Sequence, residues 1–205
     1  MDTHEELKAA LEEALTSMNL KPSPKMIQKA IQLDGKMKIR HGTCVLGDIG
    51  TGRRSIVEAL AKAHEKINGT SIKRWFIDAD DNTNNPDKSP MHEYGPRGMS
   101  LEEYYGQVKT EGTWVDGCLT AALRQCNNEN PNLIVIKGQA NVIFMENMNQ
   151  VLDDNKVLVL ANGDRLPIGT NTRIVYVFEH CKVMSPASVS RLGFVLINPE
   201  DVDFK

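Results

Sequence analysis

Thr43-Cys44-Val45-Leu46-Gly47-Asp48-Ile49-Gly50-Thr51-Gly52-Arg53-Arg54-Ser55-Ile56-Val57-Glu58-Ala59-Leu60 reads as a strand, a loop and a helix in succession. Gly47 and Gly52 stand at the spacing of G-x-x-x-x-G-K-[ST]. In that motif backbone N–H groups cradle phosphate oxygens at the amino terminus of a helix. The flanks meet its requirements: an apolar run precedes it, and Ile56, Val57, Ala59, Leu60 and Ala63 follow at helical spacing. The chemistry at its end is altered. Arg53 stands where lysine belongs, and Arg54 where a Ser or Thr hydroxyl would touch Mg²⁺. The stretch predicts an α/β nucleotide-binding core with phosphates held along Gly47, Asp48, Ile49, Gly50, Thr51, Gly52, Arg53, Arg54 and Ser55. Part of the catalytic equipment is missing. Taken alone, the stretch is also compatible with a glycine-rich turn between a strand and a helix.

A Mg²⁺-dependent site needs a second element, a buried strand that ends in a carboxylate. The best candidate is Leu133-Ile134-Val135-Ile136, after the breaker Asn130-Pro131, and it runs into Lys137-Gly138-Gln139 with no acid. An ammonium group there repels the cation. The departures lie in separate elements, and both remove oxygen ligands of a metal. No metal ligand is therefore assigned. ATP or ADP is the expected cofactor, bound weakly and without Mg²⁺, or not at all by this chain alone.

With 205 residues and 40% hydrophobic content, the chain can form one domain with a substantial core. A net charge of −3 argues against a broad nucleic-acid-binding surface. No apolar run approaches the roughly 18 residues needed to span a bilayer. The start, Met1-Asp2-Thr3-His4-Glu5-Glu6, lacks the basic and apolar segments of a signal peptide. Neither nucleic acid nor membrane is expected as a partner. Cys44, Cys118, Cys126 and Cys181 lack C-x-x-C spacing and read as reduced thiols of an intracellular protein.

Working outward from the loop, Leu7, Leu11, Leu15 and Met18 mark a helix over 4–19. A second follows from Pro24 to Met37, with Ser23 as its N-cap. Residues 74–78 read as a strand. Residues 79–98, rich in Asp, Asn, Pro and Gly, read as an exposed insertion. Its acids, with Asp78, lack the Gly and terminal Glu of a calcium loop and read as solvated. Ser100-Leu101-Glu102-Glu103 starts a helix with a capping box. Trp114 to Cys126 reads as another helix, 133–136 as the central strand, and Ala140 to Asp154 as a helix. Asn162-Gly163 predicts a tight hairpin over 156–168. Residues 172–178 form a core strand, 185–191 a short helix begun by Pro186, and 194–197 the closing strand. Strands alternating with helices imply a parallel sheet covered on both faces. There is no internal repeat.

The order of motifs resembles dynein heavy chains. The resemblance is carried by Met145-Glu146-Asn147-Met148-Asn149-Gln150-Val151-Leu152-Asp153-Asp154-Asn155-Lys156, by Tyr105-Gly106-Gln107 and Trp114-Val115-Asp116-Gly117, and by Ser185-Pro186-Ala187-Ser188-Val189-Ser190-Arg191-Leu192-Gly193-Phe194-Val195. Asn19-Leu20-Lys21-Pro22-Ser23-Pro24 and Arg40-His41-Gly42 fit the lead-in. It covers residues 5–198 in order and is best for the second of the six AAA+ modules of the dynein ring. It implies the AAA+ P-loop fold: a three-layer sandwich, α/β, with a five-stranded parallel sheet between helices and a β-hairpin insertion at 156–168. The whole of 1–205 would be one large subdomain, with N-terminal helices over 1–40 and a P-loop core over 41–198. The family's helical lid would follow Lys205, so the chain is expected to be a piece of a longer one.

The resemblance also implies function. The family is an ATP-driven, microtubule-based motor whose first module is the main ATPase. The second is regarded as binding nucleotide without hydrolysing it, and as donating an arginine finger to the neighbouring module. Partners would be neighbouring AAA+ modules of the same heavy chain and, through the parent motor, dynein intermediate and light chains and microtubules. The setting would be cytoplasmic and cytoskeletal, with the ciliary or flagellar axoneme included. This chain departs from the family pattern at Arg53, Arg54, Lys137, Asn141 and Val177, where a Lys, a Ser or Thr and three acids are usual. Hydrolysis by this module itself is therefore not expected.

Several side chains keep two readings. Arg53 either contacts phosphate through its guanidinium fork or blocks the loop. Arg54 either points away or fills the metal's place; with a loop one residue longer, Arg54 and Ser55 would replace the Lys and the Ser or Thr. Arg191 matches the family's finger position and is the catalytic residue expected to act in trans. In the last turn of a helix begun at Pro186, it is expected close to the carboxyl edge of the sheet; otherwise it complements a helix C-terminus. His41 reads as a packing or capping residue. Glu146, Asp153 and Asp154 read as structural or inter-module contacts.

Overall fold

In a computed structural model, residues 3–78, 99–126, 129–138 and 142–201 are described. The expected insertion at 79–98 and positions 139 and 141 lie outside them. Two helices, α1 (Thr3–Ser17) and α2 (Pro24–Ile39), lead into β1 (Gly42–Gly47), α3 (Arg53–Asn68) and β2 (Lys73–Asp78). After 79–98 come α4 (Leu101–Tyr105), β3 (Gly106–Val108), β4 (Trp114–Asp116), α5 (Cys118–Gln125) and β5 (Asn132–Lys137). The chain continues through α6 (Val142–Asn147), α7 (Asn149–Leu152), β6 (Val157–Val159), β7 (Arg165–Pro167) and β8 (Thr172–Phe178). It closes with α8 (Pro186–Arg191), β9 (Leu192–Ile197) and a 3-10 turn at Pro199–Asp201.

The main sheet has five strands in the order β2-β5-β8-β1-β9, and every neighbouring pair is parallel. This is the expected three-layer α/β arrangement. Strand alternation divides the sheet between two cores. Val45, Leu133, Val135, Val175, Val177, Val195 and Ile197 pack with α1, α2 and α3. Cys44, Ile77, Ile134, Ile136, Ile174, Tyr176 and Phe178 pack with the helices and hairpins of the other face. Full burial of one such Val or Ile contributes roughly 1.5–3 kcal/mol. The strands are therefore held by contacts on both sides, as their continuous apolar runs require.

The structure departs from the expected elements in several places. Trp114–Asp116 is not helical: it pairs antiparallel with Gly106–Val108, and helix α5 starts only at Cys118. The hairpin is built around glycine. Gly106 has φ 118, and a β-carbon there would run into the Trp114 side chain and the Val115 carbonyl oxygen. The expected helix over 140–154 is broken at Met148 into α6 and α7. The hairpin β6–β7 is present, but its turn is wider than two residues: the Leu160 N–H donates to the Asp164 carbonyl, with Gly163 at φ 87 inside. The central strand is β8 rather than β5. Ser23 stands at the α2 N-cap, but its hydroxyl donates to the Asp201 carbonyl instead of capping. The Ser100 capping box is formed as expected.

Candidate functional site

Strand β1 ends at the point where the chain's connections diverge, toward β2 on one side and with β9 on the other. In open parallel sheets ligands sit in the crevice beyond the carboxyl ends of the strands at such a point. The Gly47–Gly52 loop occupies it. Gly47 pairs with Ile197, and a β-carbon on Gly47 would clash with the Ile197 carbonyl oxygen and lie 2.9 Å from Thr51 Oγ1. Gly50 and Gly52 take φ 87 and 75, which only glycine adopts without strain. Thr51 is buried and braces the loop from inside: its N–H and hydroxyl both donate to the Asp48 carbonyl, at 3.3 and 2.8 Å. Thr51 thus spends its donors within the loop. Asp48, Ile49 and Gly50 are exposed.

Helix α3 starts directly after this loop with Gly52 as a left-handed N-cap and no side-chain cap. Its first-turn N–H groups have no intrahelical acceptor by helix geometry. A glycine cradle leading into an uncapped helix start fits a phosphate group held on the backbone. The side chains do not fit the metal that usually accompanies it. Arg54 at the hydroxyl position stacks its guanidinium over the Phe76 ring of β2, 4.4 Å from the centroid. It therefore turns onto the edge strand. Arg53 is half-buried, and its charge reaches the Cys44 thiol of β1. Burial drives that thiol far above its ordinary range, so it stays protonated. Ser55 is half-buried in the first turn. Lys137 ends β5, beside Asp78 and Val177 of the flanking strands.

Arg191 lies at the other end of the molecule. Sequence position suggested the carboxyl edge of the sheet; the structure places it at the amino edge. The reason is topological: α8 runs straight into β9, and a helix that precedes a strand delivers its last residue to that strand's amino end. Leu192 pairs with Gly42, and Ile197 with Gly47. The length of β9, roughly 20 Å at the usual rise per residue, separates Arg191 from its own chain's glycine loop. Arg191 is not buried in the core; its side chain is 30% exposed. Its Nε and Nη2 donate to Asp153 Oδ2 at 3.1 and 3.0 Å, and Nη1 to the Ala187 carbonyl at 2.8 Å.

No protein-family model matches the chain. Curated relatives do. The chain is 31% identical to dynein axonemal heavy chain 2 of Homo sapiens over 97% of its own length. It is 31% identical to the dynein gamma chain of the flagellar outer arm of Chlamydomonas reinhardtii over 95%, and 30% to dynein axonemal heavy chain 6 of Homo sapiens over 96%. The chain belongs to the dynein heavy chain family. It spans 4% to 5% of the length of these relatives.

The loop residues stand together because they are consecutive in sequence, whereas the surroundings of Arg191 are not legible there. Asp153, Lys156, Arg173 and His41 gather with it around one cavity. They come from four separate stretches of chain, and no spacing rule links them. Among the described residues, no helix is long and apolar enough to cross a membrane.

Proposed function

We propose that the chain is a degenerate, non-hydrolysing AAA+ module of a dynein heavy chain, best likened to the second module of the ring. Its role is structural and regulatory, within an ATP-driven motor that moves on microtubules. The observation that carries this reading is the loss of oxygen ligands at both metal-binding positions: Arg54, stacked on Phe76, and Lys137 at the end of β5. The glycine cradle favours weak nucleotide binding through the backbone of residues 47–53, insensitive to Mg²⁺. Calorimetric titration with ATP and ADP, with and without Mg²⁺, tests it. A tight complex that requires Mg²⁺ would sink the reading, and no heat with either nucleotide would reduce the module to a scaffold. A self-contained P-loop NTPase with an arginine loop is the rival enzyme reading. ATP turnover with Mg²⁺ well above that of a Lys137→Ala variant would favour it.

Arg191 is assigned as a finger for the neighbouring module. Its placement at the amino edge supports action in trans, because its own loop is a strand's length away. The partners are then adjoining modules of the same heavy chain and, through the motor, its intermediate and light chains. The axonemal and flagellar names of the relatives favour a cytoskeletal setting in cilia or flagella.

A further inference from the structure

The amino-terminal end of the sheet holds a cavity of about 270 Å³, remote from the glycine loop. Lys38, Arg40, His41, Lys156, Arg173 and Arg191 line it, together with Asp153 and Asp154. Some of these charges are already matched. Arg191 is bonded to Asp153, and Lys38 to Asp34. Arg173 donates Nε to the Met37 carbonyl and Nη1 to the carbonyls of Thr170 and Thr172.

Arg40 and Asp154, both exposed, make no side-chain hydrogen bond or ion pair among the described residues, and two less exposed groups are also left over, from different stretches of chain. Both ring nitrogens of His41 are buried, and neither has a partner. Buried polar atoms are ordinarily partnered, so each exception calls for a cause. Lys156 is half-buried, and no ion pair or side-chain hydrogen bond involves it among the described residues. Its backbone lies in the left-handed region, at φ 46, which costs a residue with a β-carbon of order 1 kcal/mol. The Lys156 N–H donates to the Asp153 carbonyl at 3.2 Å, and the Ile168 N–H donates to the Lys156 carbonyl at 2.7 Å. Those bonds hold the strained residue in place, and with it an unmatched ammonium beside an unmatched imidazole. Burial, then the charges of Lys156 and Arg173, push the His41 pKa down to about 4. The imidazole is therefore neutral near pH 7, with one N–H to donate.

We propose that this cavity binds a compact phosphate-class oxyanion through Lys156, His41 and Arg173, with Arg40 and Arg191 available to a longer polyphosphate. The volume is several times the roughly 30 Å³ of one water, enough for a diphosphate. Cations outnumber carboxylates around it, and guanidinium groups favour tetrahedral oxyanions through paired bonds. An anion would supply the acceptor that the His41 N–H lacks and offset the positive field on the ring. The inference rests neither on the glycine loop binding nucleotide nor on Arg191 acting in trans. The phosphate could be free in solution, or be the terminal phosphates of a nucleotide presented by an adjoining module.

Calorimetry of the 205-residue chain with inorganic pyrophosphate at low salt tests this, in a Gly50→Asp background that silences the loop. The β-carbon position at Gly50 is open, so the change meets no clash, and the strain set by its φ of 87 falls on an exposed loop position. We expect saturable binding, weakened about tenfold or more by Lys156→Asn and by His41→Phe. Asn suits the left-handed backbone at 156 and should leave the fold intact. Exposed Lys109→Asn, a control for net charge, should leave affinity nearly unchanged. By NMR titration, pyrophosphate should raise the His41 pKa from about 4 toward the ordinary histidine range. Comparing ATP with pyrophosphate in the same background assigns the source: tighter ATP indicates nucleotide-borne phosphate, tighter pyrophosphate a free anion. No saturable binding would overturn the proposal. So would binding indifferent to Lys156→Asn, or binding by the unaltered chain that vanishes with Gly50→Asp.

Discussion

The two ends of the parallel sheet differ in what they offer a charged group. At the carboxyl end, the Gly47–Gly52 loop offers backbone: glycines at positive φ, a threonine brace turned inward, and an uncapped helix start. At the amino end, side chains carry the chemistry: Asp34 with His64 and Lys38, Arg191 with Asp153, and the unmatched pair His41 and Lys156. Groups offered by the backbone depend on conformation, so they would outlast changes in the side chains around them. A site made of side chains depends on identity, and each substitution there alters it directly.

The sharpest way to break the comparison is to disturb the loop's conformation. Gly47→Val sets side-chain carbon against the Ile197 carbonyl of β9. It should cost about 3 kcal/mol through overpacking and backbone strain, read as a lower urea midpoint. Unchanged stability would mean that the loop is not built on close approach. Next comes a side chain at the opposite end. Arg191→Ala removes a partly exposed ion pair and should change the stability of this chain by no more than about 1 kcal/mol. In the intact motor it should slow ATP turnover about 100-fold, as loss of an arginine finger does. Full ATPase activity of the mutant motor would remove the finger assignment.

Asp34→Ala tests the buried charge at the same amino end. Asp34 accepts from His64 Nε2 and from Lys38 Nζ, each at 2.7 Å, so its loss should cost about 2 kcal/mol at pH 7. Burial raises the Asp34 pKa, but its bonds to His64 and Lys38 and their charges outweigh this and hold it below its ordinary 3.8. Its folded pKa being depressed, the contribution is full above that ordinary value and is lost as pH falls through the folded pKa. The gap in urea midpoint between Asp34→Ala and the unaltered chain should therefore narrow between pH 7 and pH 3. A gap that widened would mean the carboxylate is not the stabilised form. The smallest effect is expected at Arg54. Arg54→Ala removes the stack on Phe76 and should cost about 0.5–1 kcal/mol. It should leave nucleotide affinity within experimental error in calorimetry, because that guanidinium is turned onto β2. A marked change in affinity would show that it reaches the phosphate site.

Much of the fold was legible because it follows from local rules. The segments 43–46, 133–136 and 172–178 read as strands from their short length and β-branched content, and Pro24, Pro186 and the Ser100 capping box mark helix starts. The β3–β4 hairpin was missed because Trp114 to Cys126 has apolar spacing that suits a helix. The deciding signal was Gly106 and Gly112, both at positive φ, with the turn between Lys109 and Thr113. The break at Met148 has no such mark; Met148 is fully buried, and its place follows from packing.

The sequence alone determined the layered α/β class, a glycine loop between a strand and a helix, the Arg residues that follow it and the Lys that ends β5, and the resemblance to dynein heavy chains. These depend on residues close together in the chain, where spacing and residue type limit the backbone to few states. Only the tertiary structure decided that Arg191 stands at the amino edge of the sheet, that Arg54 turns onto Phe76, and that His41, Lys156 and Arg173 share a cavity. Those facts depend on the order β2-β5-β8-β1-β9, which brings together segments more than a hundred residues apart. Side-chain partners chosen across that distance are set by the packing of helices on the sheet, and no local pattern records it.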